Sequence, residues 1–176
     1  MKKSAEPSIH ISVARQRLAV KRGGKLERSF RVSTSKFGLG SEEGSMKTPV
    51  GRFRIADKIG AGEPIDIAYK ARVPMQASAD ALESDDLIMS RILWLDGLEE
   101  ANANTHARYI YIHGTNHEDK IGTPASHGCV RMRNADMAEL FDLVEIGTPV
   151  VIAPPRLVSR TGKKRQKSVA RRERAA

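Results

Sequence analysis

A single cysteine, Cys129, in a chain of 176 residues rules out an internal disulfide and leaves the redox compartment open. No CxxC pair is present, so the usual knuckle of a structural zinc site is missing. No apolar run approaches the roughly 20 residues that a membrane-crossing helix requires, and no membrane span is expected. The opening MKKSAEPSIHISVARQ carries two lysines but lacks the apolar stretch of about 7–15 residues that makes a secretory signal. Internal repeats are absent, which excludes solenoids and propellers.

What is present suits one folded domain. Hydrophobic residues make up 40% and charged residues 29%, and the length allows one real core rather than two. The net charge of +9 is concentrated at one end. Residues 156–176 hold nine of the 30 basic residues and one of the 21 acids, leaving 21 bases and 20 acids for everything before them. The expected organisation is an extension over 1–8, one folded unit over 9–155 and a basic tail over 156–176. Such a like-charge run is normally solvated, and it can meet nucleic acid, anionic lipid or another anionic polymer through counterion release. It has no aromatic residue to stack on bases.

Apolar residues alternate with polar ones at Ile9, Ile11 and Val13, and again at Leu18 and Val20, which reads as two strands joined at Arg15-Gln16. Gly23-Gly24 supplies a two-residue hairpin turn, whose central positions need positive φ. A third strand follows from Leu26 to Ser33, with Phe30 and Val32 on one face. Consecutive hairpins point to an antiparallel meander, not a doubly wound sheet. Residues 36–49 form a loop ending in Thr48-Pro49-Val50-Gly51, by itself a Pro-Gly turn, and a strand is expected over Arg52 to Ala56. The stretch 57–108 is the least legible. Asp80 to Asp86 is acidic and polar, Leu87 to Leu95 is apolar enough for a buried strand, and Trp94 is expected in the core. Tyr109 to Ile112 is β-prone and delivers His113 at a strand end. Asn134 is the expected N-cap of a helix with Met137, Leu140, Phe141 and Val144 on one face, ending near Gly147. Pro149 to Ala153 makes the last strand.

The chemistry is concentrated in Tyr109 to Met132, YIYIHGTNHEDKIGTPASHGCVRM, which holds Cys129 and three of the five histidines. A thiol attacks as thiolate, and a free cysteine with a pKa of about 8.5 is mostly protonated at neutral pH. An imidazole is the usual proton acceptor. His127 is too near Cys129 to converge with it in a tight loop, whereas His113 can return through the intervening residues. Cys129 is therefore the candidate nucleophile and His113 the candidate general base. Gly128 permits a sharp turn and a close approach to the amides of residues 127–129, a candidate oxyanion hole to which His127 and Gly128 contribute. Ser126 and His127 either shape this loop or touch substrate. Arg131 is either structural or holds a substrate carboxylate with its fork. A competing reading makes His113, His117, His127 and Cys129 zinc ligands, for which H-x-C is poor spacing. In a third, a nucleic-acid module built on the basic tail, Cys129→Ala would change nothing.

His113-Gly114 followed by Ser126-His127-Gly128-Cys129-Val130-Arg131 resembles the signature of the L,D-transpeptidase catalytic domain family. The likeness extends along most of Ile9 to Ile152 and includes Thr48-Pro49-Val50-Gly51. It implies a mainly β fold with short helices, a β-sandwich of mixed strands. It also implies that a backbone carbonyl just after the base, here that of Gly114, orients the His113 ring. The activity it implies is on peptidoglycan stem peptides or muropeptides through a cysteinyl acyl-enzyme. The terminal D-alanine is released and the acyl group passes to an amine of a second stem, with no metal or organic cofactor. With water as acceptor the same residues make an L,D-carboxypeptidase that trims tetrapeptides, and the sequence does not choose between them. Covalent carbapenem adducts are a further implication. The family usually works in the cell envelope; without a secretory signal in this sequence, the cytoplasm stays open as well.

Overall fold

The structure, a computed structural model, describes residues 5–156; apart from Arg156, the basic tail lies outside the described residues. β1 (Pro7–Ser12), β2 (Arg17–Arg22) and β3 (Lys25–Arg31) form the antiparallel meander expected from the sequence. Gly23 and Gly24 make the turn at φ of 57° and 78°. β3 stops at Arg31 rather than Ser33, because Ser33 exchanges two backbone hydrogen bonds of 2.9 Å with Arg131 instead.

The chain continues through β4 (Gly51–Ile59), β5 (Ala68–Lys70), β6 (Val73–Met75), α1 (Ala79–Ser84), β7 (Ile88–Gly97), β8 (Tyr111–Thr115), β9 (Val130–Met132), α2 (Asn134–Leu143) and β10 (Pro149–Ala153). One mixed sheet results, in the order β3-β2-β1-β10-β4-β7. β5 pairs with the first residues of β7, and β8 and then β9 follow β7. Pairing is antiparallel except for β1 with β10 and β8 with β9. The Ser33–Arg131 bridge returns the chain after β3 to β9, so the sheet curls back around its core. Ile9, Ile11, Leu18, Phe53, Ile55, Leu93, Leu95 and Ile112 fill that core with Met137 and Leu140 of α2, all at most 1% exposed. Each such side chain stabilises the fold by about 1.5–3 kcal/mol through burial.

Several local expectations change in the structure. The acidic stretch that gave no reading forms α1, whose first turn is capped by Ser78 accepting from the Ala81 N–H at 3.2 Å. α2 starts at Asn134 rather than being capped by it, since the Asn134 side-chain Oδ1 accepts from the Thr115 N–H at 2.9 Å instead. α2 ends at Leu143, short of Gly147. There Lys58 Nζ donates to the Phe141 and Val144 carbonyls at 2.7 and 2.5 Å, satisfying acceptors that a helix end leaves free. β8 begins at Tyr111, leaving Tyr109 outside it at φ 57° and placing His113 mid-strand. Trp94 is only half-buried, on the face of β7 opposite the main core.

In the illegible stretch, Asn102 ties β4 to the end of β7. Fully buried, it donates to the Val50 and Arg52 carbonyls at 3.1 and 3.2 Å and accepts from the Glu99 N–H at 3.0 Å. Gly97 allows this contact, because a Cβ there would lie 2.0 Å from the Asn102 carbonyl oxygen. Asn102→Ala strands buried polar groups and should destabilise the domain by about 2–3 kcal/mol in denaturant unfolding; an unchanged midpoint would refute the anchoring role.

Candidate active site

Side chains alternate between the faces of a strand. On β8, Ile112 enters the main core, so Tyr111 and His113 face the other way. On β9, Val130 and Met132 enter that core, so Arg131 joins them, and the preceding Cys129 packs on the second cluster with Tyr111 and Ile92. Parallel pairing sets His113 opposite Arg131. The family-like residues thus meet because two short strands share one register.

Cys129 is half-buried. The Tyr111 N–H donates to its Sγ at 3.3 Å, and its thiol is 3.4 Å from the Tyr109 carbonyl. His113 is 4% exposed, and its Nδ1–H donates to the Gly114 carbonyl at 2.5 Å. A carbonyl only accepts, so Nδ1 carries the proton and the Nε2 lone pair is left for proton transfer. Gly114 has no room for a side chain: a Cβ would lie 2.2 Å from the Asn134 side-chain Oδ1 and 2.7 Å from the Met89 carbonyl oxygen. His113 and Cys129 open onto one cavity of about 150 Å³, also lined by Asp86, Ile88, His127 and Arg131.

Burial dominates the electrostatics of the pair. It lowers the His113 pKa to about 4, with Arg131 pushing the same way and the Gly114 hydrogen bond opposing. It raises the Cys129 thiol to about 11, with the Tyr111 N–H opposing. Burial thus favours the neutral thiol and the neutral imidazole over a thiolate–imidazolium ion pair.

The loop before β9 is held from inside. Gly128 adopts φ 126°, and its carbonyl accepts from Thr48 Oγ1 at 2.8 Å. Thr48, read from the sequence as part of a Pro-Gly turn, is thus a strut beneath the cysteine. Ser126 is fully buried; its hydroxyl donates to the Cys129 carbonyl at 2.5 Å and accepts from the Gly128 N–H at 3.3 Å. That is the loop-shaping alternative, with no exposure to substrate. The His127 and Cys129 amides have no internal acceptor among the described residues, which leaves them free to donate to a bound group, with Gly128 already engaged.

An acid that sequence spacing gave no reason to select reaches the same cavity. Asp86, after α1, accepts from His127 Nδ1 at 2.9 Å and from Arg131 Nη2. Arg131 is 3% exposed. His127 is thereby oriented by a carboxylate, and His113 by a carbonyl. The four proposed zinc ligands do not gather: His117 begins a separate 3₁₀ turn, and no group of three or more His, Cys, Asp or Glu converges among the described residues.

Beyond His127 lies a larger cavity of about 420 Å³, lined by Glu43, Met46, Arg108 and Tyr109 among others. Arg108 fixes its wall by donating to the Gly40 and Lys47 carbonyls at 3.3 and 2.8 Å. Trp94, expected in the core, instead stacks on His106 with ring centroids 3.9 Å apart and carries the Arg72 guanidinium at 4.8 Å.

Residues 6–152 match the family model described as the L,D-transpeptidase catalytic domain. A Bacillus subtilis protein named as an L,D-transpeptidase, YqjB, is 28% identical over 147 residues, 84% of this chain and 71% of its own length. The Escherichia coli protein named as L,D-transpeptidase YbiS is 54% identical over 43 residues, 24% of this chain but only 14% of its own. The crystal structure of an L,D-transpeptidase from Xylanimonas cellulosilytica shares the fold at a TM-score of 0.56 and 21% identity, over 87% of this chain and 63% of that one. LdtMt1, solved in complex with imipenem, superimposes at a TM-score of 0.54 and 20% identity, over 85% of this chain and 59% of that one. A match that reaches every strand of the sheet, together with His113, His127, Cys129 and Arg131 of the HG and SHGCVR segments gathered at one cavity, establishes that the chain belongs to the L,D-transpeptidase catalytic domain family.

Proposed function

We propose that this domain is a cysteine acyltransferase acting on peptidoglycan stem peptides. The observation that carries the reading is the shared cavity of Cys129 and His113, with the His113 ring tethered through Nδ1 and free at Nε2. As Sγ attacks the carbonyl of the L-centre of the third stem residue, Nε2 accepts the thiol proton, and the tetrahedral oxyanion lies against the His127 and Cys129 amides. Collapse breaks the C–N bond, and His113 returns the proton to the departing amine of D-alanine. A second amine then attacks the thioester carbonyl; His113 takes its proton and passes it to Sγ as the C–S bond breaks.

The pair begins neutral, so charge appears only as substrate arrives. Tyr111 N–H is already positioned to stabilise the developing thiolate. The larger cavity beyond His127 gives room for a second stem and favours an amine over water as acceptor. Water alone would make the same residues an L,D-carboxypeptidase.

With a disaccharide tetrapeptide, the expected product is a crosslinked dimer, resolved from tripeptide by chromatography, and Cys129→Ala should abolish it. Tripeptide alone would assign the carboxypeptidase. Carbapenem should add one inhibitor mass to the native protein and none to Cys129→Ala in intact-mass spectrometry; an unmodified native protein would count against a reactive Cys129. The acylation rate also reports on the base. His113 must be neutral to accept a proton, and its pKa is lowered to about 4, so the rate should hold from pH 8 through 6.5 and fall only as pH nears 4. An acid limb centred at or above 6.5 would show an unperturbed imidazole.

A further inference from the structure

The outer face of the meander carries a basic groove. Alternation sends Ile9, Leu18, Val20, Phe30 and Val150 into the core, so His10, Arg17, Lys21, Ser29 and Ala153 face the other way. Together with Arg15 of the β1–β2 turn they line a groove of about 340 Å³, within the roughly 300–1,000 Å³ of ligand sites. Its charge is uncompensated. β1, β2, β3 and β10 contain one acid, Glu27, and it pairs with Arg22 at 3.0 Å. The same positive field, from Lys21, joins burial in lowering the His10 pKa.

The donors suit phosphate. Arg17 gives Nε and Nη2 to Ser29 Oγ at 3.2 and 3.1 Å. One edge of its fork is therefore closed to a planar carboxylate, and Ser29, accepting twice, keeps its own O–H to donate. Lys21 acts as a point charge, which a tetrahedral phosphate accommodates. Arg17 and Lys21 stand four residues apart on one face of β2, about 13 Å at about 3.3 Å per residue, which suits separate groups along a chain. A flat lipid surface does not reach the floor of a groove, and no Phe, Tyr or Trp lines this one to stack on a base. The chain leaves the groove at Ala153, and residues 156–176, with nine bases and one acid, follow in sequence; their charge attracts a polyanion to this edge.

We propose that this groove binds a linear, base-free chain of phosphate groups, with Arg15, Arg17 and Lys21 meeting separate phosphates and Ser29 donating its hydroxyl. The inference goes beyond the acyl-transfer reading and does not depend on it, because no groove residue lines the Cys129 cavity or the one beyond His127.

The test measures binding of the full chain to short inorganic polyphosphate, oligothymidylate of equal phosphate number, poly-glutamate of equal charge and anionic phospholipid vesicles, across about 50 to 200 mM salt. Polyphosphate should bind at least about tenfold tighter than poly-glutamate, the worth of one charge-assisted contact, and no more weakly than oligothymidylate. Equal affinity for poly-glutamate, a preference for oligothymidylate, or binding to vesicles alone would each overturn the proposal. Arg17→Gln combined with Lys21→Gln should reduce the slope of log K against log salt by about 1.4, two contacts at about 0.7 each on a single strand. Lys70→Gln combined with Lys120→Gln removes the same charge from exposed positions outside the groove and should leave the slope near its native value. Equal losses in both pairs would assign binding to overall charge and sink the groove. The native protein decides without either variant: polyphosphate should slow acetylation of Lys21 relative to Lys70 and Lys120, read by peptide mass, whereas uniform protection would refute the assignment.

Discussion

The parallel pairing of β8 with β9 is the constraint on which the site depends. With His113 opposite Arg131, period-two alternation sends Tyr111, His113, Cys129 and Arg131 to one face and Ile112, Val130 and Met132 into the core. Slipping either strand by one residue would exchange these sets, placing polar groups among the aliphatic side chains. The fully buried Ile112, Val130 and Met132 hold the register from within. Ser33 holds it from outside through two backbone hydrogen bonds to Arg131. Packing on one face thereby fixes chemistry on the other.

Electrostatics then favour a site that is quiet until occupied. Burial penalises the charged form of both Cys129 and His113, while the Arg131 cation that lines their cavity is paired with Asp86. Backbone groups do most of the orienting: the Gly114 carbonyl fixes the His113 tautomer, the Tyr111 N–H meets the sulfur, and Thr48 braces the Gly128 carbonyl. Such partners are set by the strands and cost no side-chain entropy when substrate binds.

Much of this was legible in the sequence because local rules govern it. Period-two runs gave β1 and β2, the paired glycines gave their turn, and the spacing of His113 and Cys129 picked out two residues that line one cavity. The failures share a cause: partners distant along the chain. Asn134 looks like a helix cap, yet Thr115 claims its side chain. Asp86 sits in a polar run with no local partner and acquires meaning only from His127 and Arg131. Thr48 reads as turn chemistry until the structure places it under Gly128. Trp94 looks like core because of its apolar neighbours, but alternation turns it to the opposite face.

The place of β10 in the sheet carries a consequence for how the domain is made. It lies between β1 and β4, paired in parallel with the first strand, so Ile9 meets Val150 and Ile11 meets Ile152. Contacts this remote along the chain raise contact order and impose a loop-closure penalty before they repay it. During synthesis the meander, β4 and even the finished cysteine loop must wait, with a gap in the middle of the sheet, until the final strand leaves the ribosome. Cys129 is translated before the sheet that supports it can close.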